Sequence, residues 1–100
     1  MVRDMEANMM NWNKLLDKYS EGDVVIGKVF AHYEYGAYVN FGEPFYGIIT
    51  VAHMYNKPVN SSEDFPRIGE EVKCVIGAFR LSFRAMNLSY VSLSMKNLDI

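Results

Sequence analysis

The segment VVIGKVF at residues 24–30 carries the alternation that decides the fold. Val25 and Val29 fall on one face of an extended chain, whereas Lys28 and Phe30 fall on the other. The β-branched residues favour a strand over a helix. The glycine in the middle of the segment predicts a bulge or a sharp bend, as a small curled sheet needs.

Further segments with strand-like patterns follow this one: residues 35–41, 45–51, 71–79 and 88–94. In the fourth strand Cys74 shares a face with Val72 and Ile76, so we interpret it as a small buried residue. Residues 52–67 lack periodicity and predict a long connection that is functional or carries a short helical turn. Five short strands leave exposed edges unless they close into a barrel. We therefore expect a mainly β protein, a five-stranded Greek-key barrel of the OB-fold type.

Apolar residues before the first strand recur at helical spacing: Met9, Trp12, Leu15, Leu16 and Tyr19. They predict one N-terminal amphipathic helix of about three turns, capped by Asn8 or Asn11. Its expected role is to cover one end of the core. The expected organisation is a lead and helix over 1–21, the barrel over 22–97 and a short tail over 98–100.

The charge distribution is uneven although the net charge is only −2. Residues 1–71 hold six basic and eleven acidic residues, whereas residues 72–98 hold four basic and no acidic ones. A basic segment on an acidic body suggests a polyanionic partner, and a plain solvated face is the alternative.

Several classes of protein do not fit the sequence. No run of about 20 apolar residues predicts a membrane helix, and the first residues lack the apolar core of a secretory signal. The cytoplasm is the expected compartment. The single cysteine excludes an intramolecular disulfide and a multi-cysteine zinc site. No catalytic motif or phosphate-binding loop is present, so we expect neither an enzyme nor a metal or other cofactor.

Five blocks resemble the RNA-binding domain of bacterial ribosomal protein S1, the S1 motif. They occur in the same order and at the same spacing as in that family: residues 22–29, 35–39, 47–49, 68–76 and 91–96. The resemblance implies a barrel whose outer face binds single-stranded RNA or the ribosome, in translation or RNA metabolism.

The resemblance also implies the site. Tyr35 and Tyr38 stand where family members carry two aromatic residues, and Thr50 stands where a polar residue is common. Arg80 replaces a common aspartate, and Tyr90 replaces a common arginine. Base stacking on rings and cations for phosphates are the chemistry such a face needs. The expected RNA-binding residues are Lys28, Tyr35, Tyr38, Thr50, Arg80, Arg84 and Tyr90, with Phe30 and His32 as further candidates for the stacking platform.

A second hypothesis is a protein-interaction module, since barrels of this kind support unrelated functions. The candidate surface is a group of aromatic residues near the long connection, expected to be exposed: Phe45, Tyr46, Tyr55 and Phe65.

Overall fold

The described residues form five strands and one α-helix. The computed structural model describes residues 2–55, 59–82 and 88–96, with side chains from residue 9 onward. The elements are helix α1 (Val2–Lys18) and strands β1 (Val24–Tyr33), β2 (Gly36–Asn40), β3 (Gly47–Thr50), β4 (Glu71–Arg80) and β5 (Tyr90–Ser94).

The strands close into a barrel in the order β1-β2-β3-β5-β4, and β4 pairs back onto β1. Every neighbouring pair is antiparallel except β3 and β5, which run parallel. In the barrel, β5 lies between β3 and β4. The chain therefore passes from β3 to β4 first and then returns to form β5 in the space between them. The predicted five-stranded barrel of the OB-fold type is therefore confirmed.

The alternation in sequence matches the two faces of the barrel wall. In β4, Val72, Cys74 and Ile76 point into the core, as predicted. Burial raises the pKa of the Cys74 thiol to about 12, so it stays protonated at neutral pH.

Helix α1 covers the core as expected, but its limits differ from the prediction. It begins at Val2, well before Met9, so Asn8 and Asn11 lie inside the helix and neither is its N-cap. The buried Trp12 ring meets the Phe45 ring edge-on at 5.0 Å between centroids. Leu16, assigned to the apolar stripe, is exposed.

The glycine of the first strand has a different role from the predicted one. The shift in register lies between Val29 and Ala31, not at Gly27. A Cβ at Gly27 would stand 2.6 Å from Val39 Cγ1 and 2.7 Å from the Asn40 carbonyl oxygen. Glycine therefore allows the close approach of β1 to β2.

The long connection carries two single turns of 3-10 helix, at Val51–His53 and Ser62–Asp64. This agrees with the expectation of short helical turns there. In the described part of the chain, no helix has the length and apolar character that crossing a membrane requires.

Candidate nucleic-acid interface

Six aromatic rings form a connected group on the outside of the barrel, which we call the aromatic array: Phe30, Tyr33, Tyr35, Tyr38, Tyr46 and Tyr90. Tyr38 lies at its centre. Its ring centroid is 5.0 Å from that of Tyr33, 5.2 Å from that of Tyr46 and 5.9 Å from that of Phe30. Tyr35 extends the array beyond Tyr33, with 6.4 Å between centroids.

The bulge in β1 explains why Phe30 and Tyr33 both reach Tyr38. Residues three apart on a regular strand point to opposite faces. The register shift between Val29 and Ala31 changes the phase by one residue, so Phe30 and Tyr33 share the outer face.

The parallel pairing of β3 and β5 brings the last two rings together. Gly47 lies opposite Val91, and the Val91 amide donates to the Tyr46 carbonyl oxygen at 3.0 Å. Tyr46 and Tyr90, the residues just before this pair, have ring planes 2° apart and centroids 6.4 Å apart. Two parallel, neighbouring rings thus continue the surface beyond Tyr38.

The array is accessible, and two of its tyrosines, Tyr33 and Tyr46, are neutral at physiological pH. Tyr35 is 60% exposed and Phe30 49% exposed, while the other four rings are half-buried. Partial burial, followed by the neighbouring tyrosines Tyr38 and Tyr90, raises the pKa of Tyr33 and of Tyr46 above the ordinary value of 10.0. Their hydroxyl groups therefore remain donors as well as acceptors of hydrogen bonds.

Cationic side chains border the array at two places. Arg80 is exposed and lies opposite Tyr90 in the β4–β5 ladder. It also lines a depression of about 160 Å³ with His53, Ser92 and Ser94, so hydroxyl groups lie in the same depression as the Arg80 side chain. Lys28 is exposed on β1, two residues before Phe30.

The other predicted site residues have different outcomes. Thr50 is half-buried opposite Gly36, and the amide after it donates to the Tyr35 carbonyl oxygen at 2.9 Å, so it lies beside that end of the array. Arg84 lies outside the described residues. His32 is not part of the array, because its Nε2 donates to the Pro66 carbonyl oxygen at 2.7 Å.

The four aromatic residues near the long connection do not form one exposed surface, and this corrects the expectation from the sequence. Phe45 is only 4% exposed and Phe65 only 5% exposed, since both pack into the core. Tyr46 belongs to the aromatic array. Tyr55 is half-buried and packs against the core.

The sequence patterns did not place Tyr33 or Tyr46 in the aromatic array. The segment at residues 24–30 predicts a first strand that ends at Phe30, so the sequence pattern assigns Tyr33 to neither face. The dense run of aromatic residues between positions 30 and 46 was the signal available for both. Among the described residues, no group of three histidine, cysteine, aspartate or glutamate side chains is arranged to hold a metal ion.

Comparison with known proteins agrees with this architecture. Residues 18–90 match the family described as the S1 RNA-binding domain. The chain belongs to the S1 RNA-binding domain family. The resemblance drawn from the five sequence blocks is therefore confirmed.

Similar proteins include both ribosomal and enzymatic ones. Small ribosomal subunit protein bS1 of Staphylococcus aureus is 29% identical over 86 residues, which are 86% of this chain and 22% of that protein. A 4-hydroxy-3-methylbut-2-enyl diphosphate reductase of Clostridium acetobutylicum is 32% identical over 65 residues, 65% of this chain and 10% of that protein. This S1 chain thus spans between a tenth and about a fifth of these two relatives.

Another protein, whose structure was determined in solution, has the same fold. The structure of GSP13 from Bacillus subtilis aligns with a TM-score of 0.62 at 23% identity, covering 77% of this chain and 55% of that one. At this identity the similarity establishes a shared fold.

Proposed function

We propose that this S1 domain binds single-stranded RNA across the aromatic array, with bases stacked on the rings and phosphates near the bordering cations. Membership of the S1 RNA-binding domain family supports RNA as the ligand. The observation that carries the proposed site is the connected group of six exposed or half-buried rings centred on Tyr38.

The chemistry of the array suits unpaired bases. Every base has a π face, so stacking on tyrosine or phenylalanine tolerates any sequence and contributes about 1–3 kcal/mol per base. Bases in a duplex are already stacked on each other, which favours single strands as the ligand.

The bordering cations supply the electrostatic part of binding. The guanidinium group of Arg80 can contact a phosphate or stack on a base, and it lies opposite Tyr90. Lys28 lies at the Phe30 end, so cations stand at two sides of the array. The net charge of −2 keeps nonspecific attraction to polyanions weak.

The affinity of this domain alone is expected to be micromolar or weaker. Two or three stacked bases contribute a few kcal/mol after an association cost of at least about 4 kcal/mol. Attachment to further RNA-binding units, or to the ribosome, would raise the affinity through effective concentration. Because bS1 is a ribosomal protein, we place the domain in translation or RNA metabolism.

The test is a titration of fluorescent single-stranded RNA at low and moderate salt. The Tyr35→Ala/Tyr38→Ala double variant removes two rings, and Tyr35→Phe/Tyr38→Phe keeps both. An Ile26→Ala/Ile68→Ala variant is the control, because both side chains are exposed apolar groups and neither is one of the rings of the array.

We expect the wild type, the phenylalanine variant and the isoleucine control to bind, and the alanine variant to lose about tenfold or more in affinity. Unchanged binding by the alanine variant would remove the array from the site. Absence of binding by the wild type at low salt would refute RNA binding by this domain.

A further inference from the structure

A depression of about 260 Å³ adjoins the aromatic array at its Phe30 end. Its lining combines two aromatic rings with polar groups: Phe30, Asn40, Glu43, Pro44 and Tyr46. Because Phe30 and Tyr46 both contact Tyr38, a strand stacked on Tyr38 would bring a neighbouring base to this depression.

The size and walls of the depression suit one base. Pockets for drug-sized ligands are about 300–1,000 Å³, so this one fits a smaller, single ring system. The Phe30 ring is inclined 30° to that of Tyr38, and the Tyr46 ring is inclined 86° to it. The Phe30 and Tyr46 rings are therefore steeply inclined to each other. A base stacked on one of them presents its edge to the polar lining.

Glu43 supplies a fixed acceptor in this lining. Its Oε2 accepts hydrogen bonds from Lys18 Nζ and from the Tyr19 hydroxyl, both at 2.7 Å. The hydrogen bond from Lys18 lowers the pKa of Glu43 below its ordinary value, so the carboxylate is ionised at neutral pH. Within the described part of the chain, Oε1 accepts no hydrogen bond, so both of its lone pairs can accept from two adjacent donors of a ligand.

Asn40 supplies a donor. Its Oδ1 accepts from the Gly42 amide at 2.9 Å, which fixes the orientation of the side-chain amide. With the oxygen engaged in this turn, the NH₂ group is the part of the amide that can serve a ligand.

We propose that this depression is a guanine-selective subsite of the RNA-binding surface. The Watson–Crick edge of guanine carries one acceptor, O6, and two adjacent donors, N1–H and the N2 amino group. These complement the Asn40 donor and the Glu43 carboxylate. Adenine and cytosine present a ring-nitrogen acceptor that would face the carboxylate, and uracil has a single N–H donor. The inference rests on the proposed RNA binding, since the array delivers the base.

The test compares short single strands of oligouridine that carry one central guanosine, adenosine or 1-methylguanosine, titrated against the wild-type protein. We expect guanosine to bind at least about fivefold tighter than adenosine, the lower end of what a bidentate base contact contributes. We expect 1-methylguanosine, which lacks the N1–H donor, to bind like adenosine. This comparison needs no altered protein.

Two variants assign the preference to the depression. Glu43→Gln replaces one carboxylate oxygen by an NH₂ group, and we expect it to bind guanosine and adenosine strands equally. Glu63→Gln makes the same chemical change at an exposed glutamate of the second 3-10 turn, and we expect it to keep the preference.

The outcomes separate this inference from the proposed function. Equal binding of all three strands by the wild type would leave RNA binding in place and overturn the guanine subsite. A preference that persists in Glu43→Gln, or tight binding of 1-methylguanosine, would also overturn it. Failure of every strand to bind would overturn RNA binding and the subsite together.

Discussion

Substitution of Gly27 by alanine should loosen the contact between β1 and β2. The added Cβ would lie 2.6 Å from Val39 Cγ1 and 2.7 Å from the Asn40 carbonyl oxygen, about 1 Å inside the usual carbon–carbon separation of about 3.5–4.0 Å. The carbonyl group belongs to the backbone of β2, so a side-chain rotation cannot relieve the overlap. Overpacking of this kind costs about 1–3 kcal/mol. For a domain of this size each kcal/mol lowers Tm by about 4–8 °C.

Gly77 provides a control in the same chain. It also lies within a strand, but the nearest atom to an added Cβ is the Ser92 carbonyl oxygen at 3.6 Å, an ordinary contact. Alanine is favoured over glycine inside a strand by about 0.5–1 kcal/mol. Gly77→Ala should therefore leave Tm unchanged or raise it slightly.

Thermal unfolding followed by circular dichroism measures both variants against the wild type. We expect Gly27→Ala to unfold at least about 5 °C below the wild type. If Gly27→Ala were as stable as Gly77→Ala, the close approach of β1 and β2 would be wrong, and with it the register that brings Phe30 beside Tyr38.

Three further predictions concern single side chains. Arg80→Gln should reduce the salt dependence of RNA binding by about 0.7 in the slope of log K against log salt, as loss of one phosphate contact requires; an unchanged slope would mean that Arg80 contacts no phosphate. Cys74 should resist alkylation in the native protein at pH 8 and react once denaturant unfolds it, because burial raises its pKa to about 12; fast labelling of the native protein would contradict this. Because the folded-state pKa of Glu43 is below its ordinary value of 4.5, the stability it contributes is present above that pH and lost as the pH falls towards the folded-state pKa. The difference in unfolding free energy between the wild type and Glu43→Gln should shrink below pH 4.5, and a difference that stays constant in acid would refute the interaction with Lys18.

Local patterns were sufficient to predict the barrel wall. Alternation in VVIGKVF separates buried Val25 and Val29 from exposed Lys28 and Phe30, as the structure shows. These preferences act between neighbours in sequence, so they can be read from a single chain. Closure of the five strands into a barrel followed from their number and the instability of open edges.

Which rings belong to the aromatic array depends on strand pairings between parts of the chain that are far apart in sequence. Tyr33 joins Phe30 on the outer face only because the register shifts between Val29 and Ala31, and a bulge of this kind leaves little trace in the sequence. Tyr46 and Tyr90 become neighbours through the parallel pairing of strands far apart in the chain.

The expectation that Phe45 is exposed is wrong for a similar reason, because its burial depends on a contact between distant parts of the chain. Phe45 and Tyr46 are adjacent in sequence, but Phe45 packs on Trp12 of α1 while Tyr46 faces outward. The contact of Phe45 with the helix joins distant parts of the chain, so neighbouring residues in the sequence do not indicate which ring is covered.

The central claim, that the aromatic array is the RNA-binding surface, is tested most directly by tyrosine ring resonances in NMR spectra during titration with oligouridine. The chain has seven tyrosines, of which five belong to the array, and Tyr19 and Tyr55 lie outside it. We predict that the ring resonances of the five shift with RNA concentration and that those of Tyr55 change least; Tyr19 is not used as a reference, because its hydroxyl donates to Glu43 beside the array. Saturable binding whose largest shifts fall on Tyr55, with the five array tyrosines unchanged, would contradict the account.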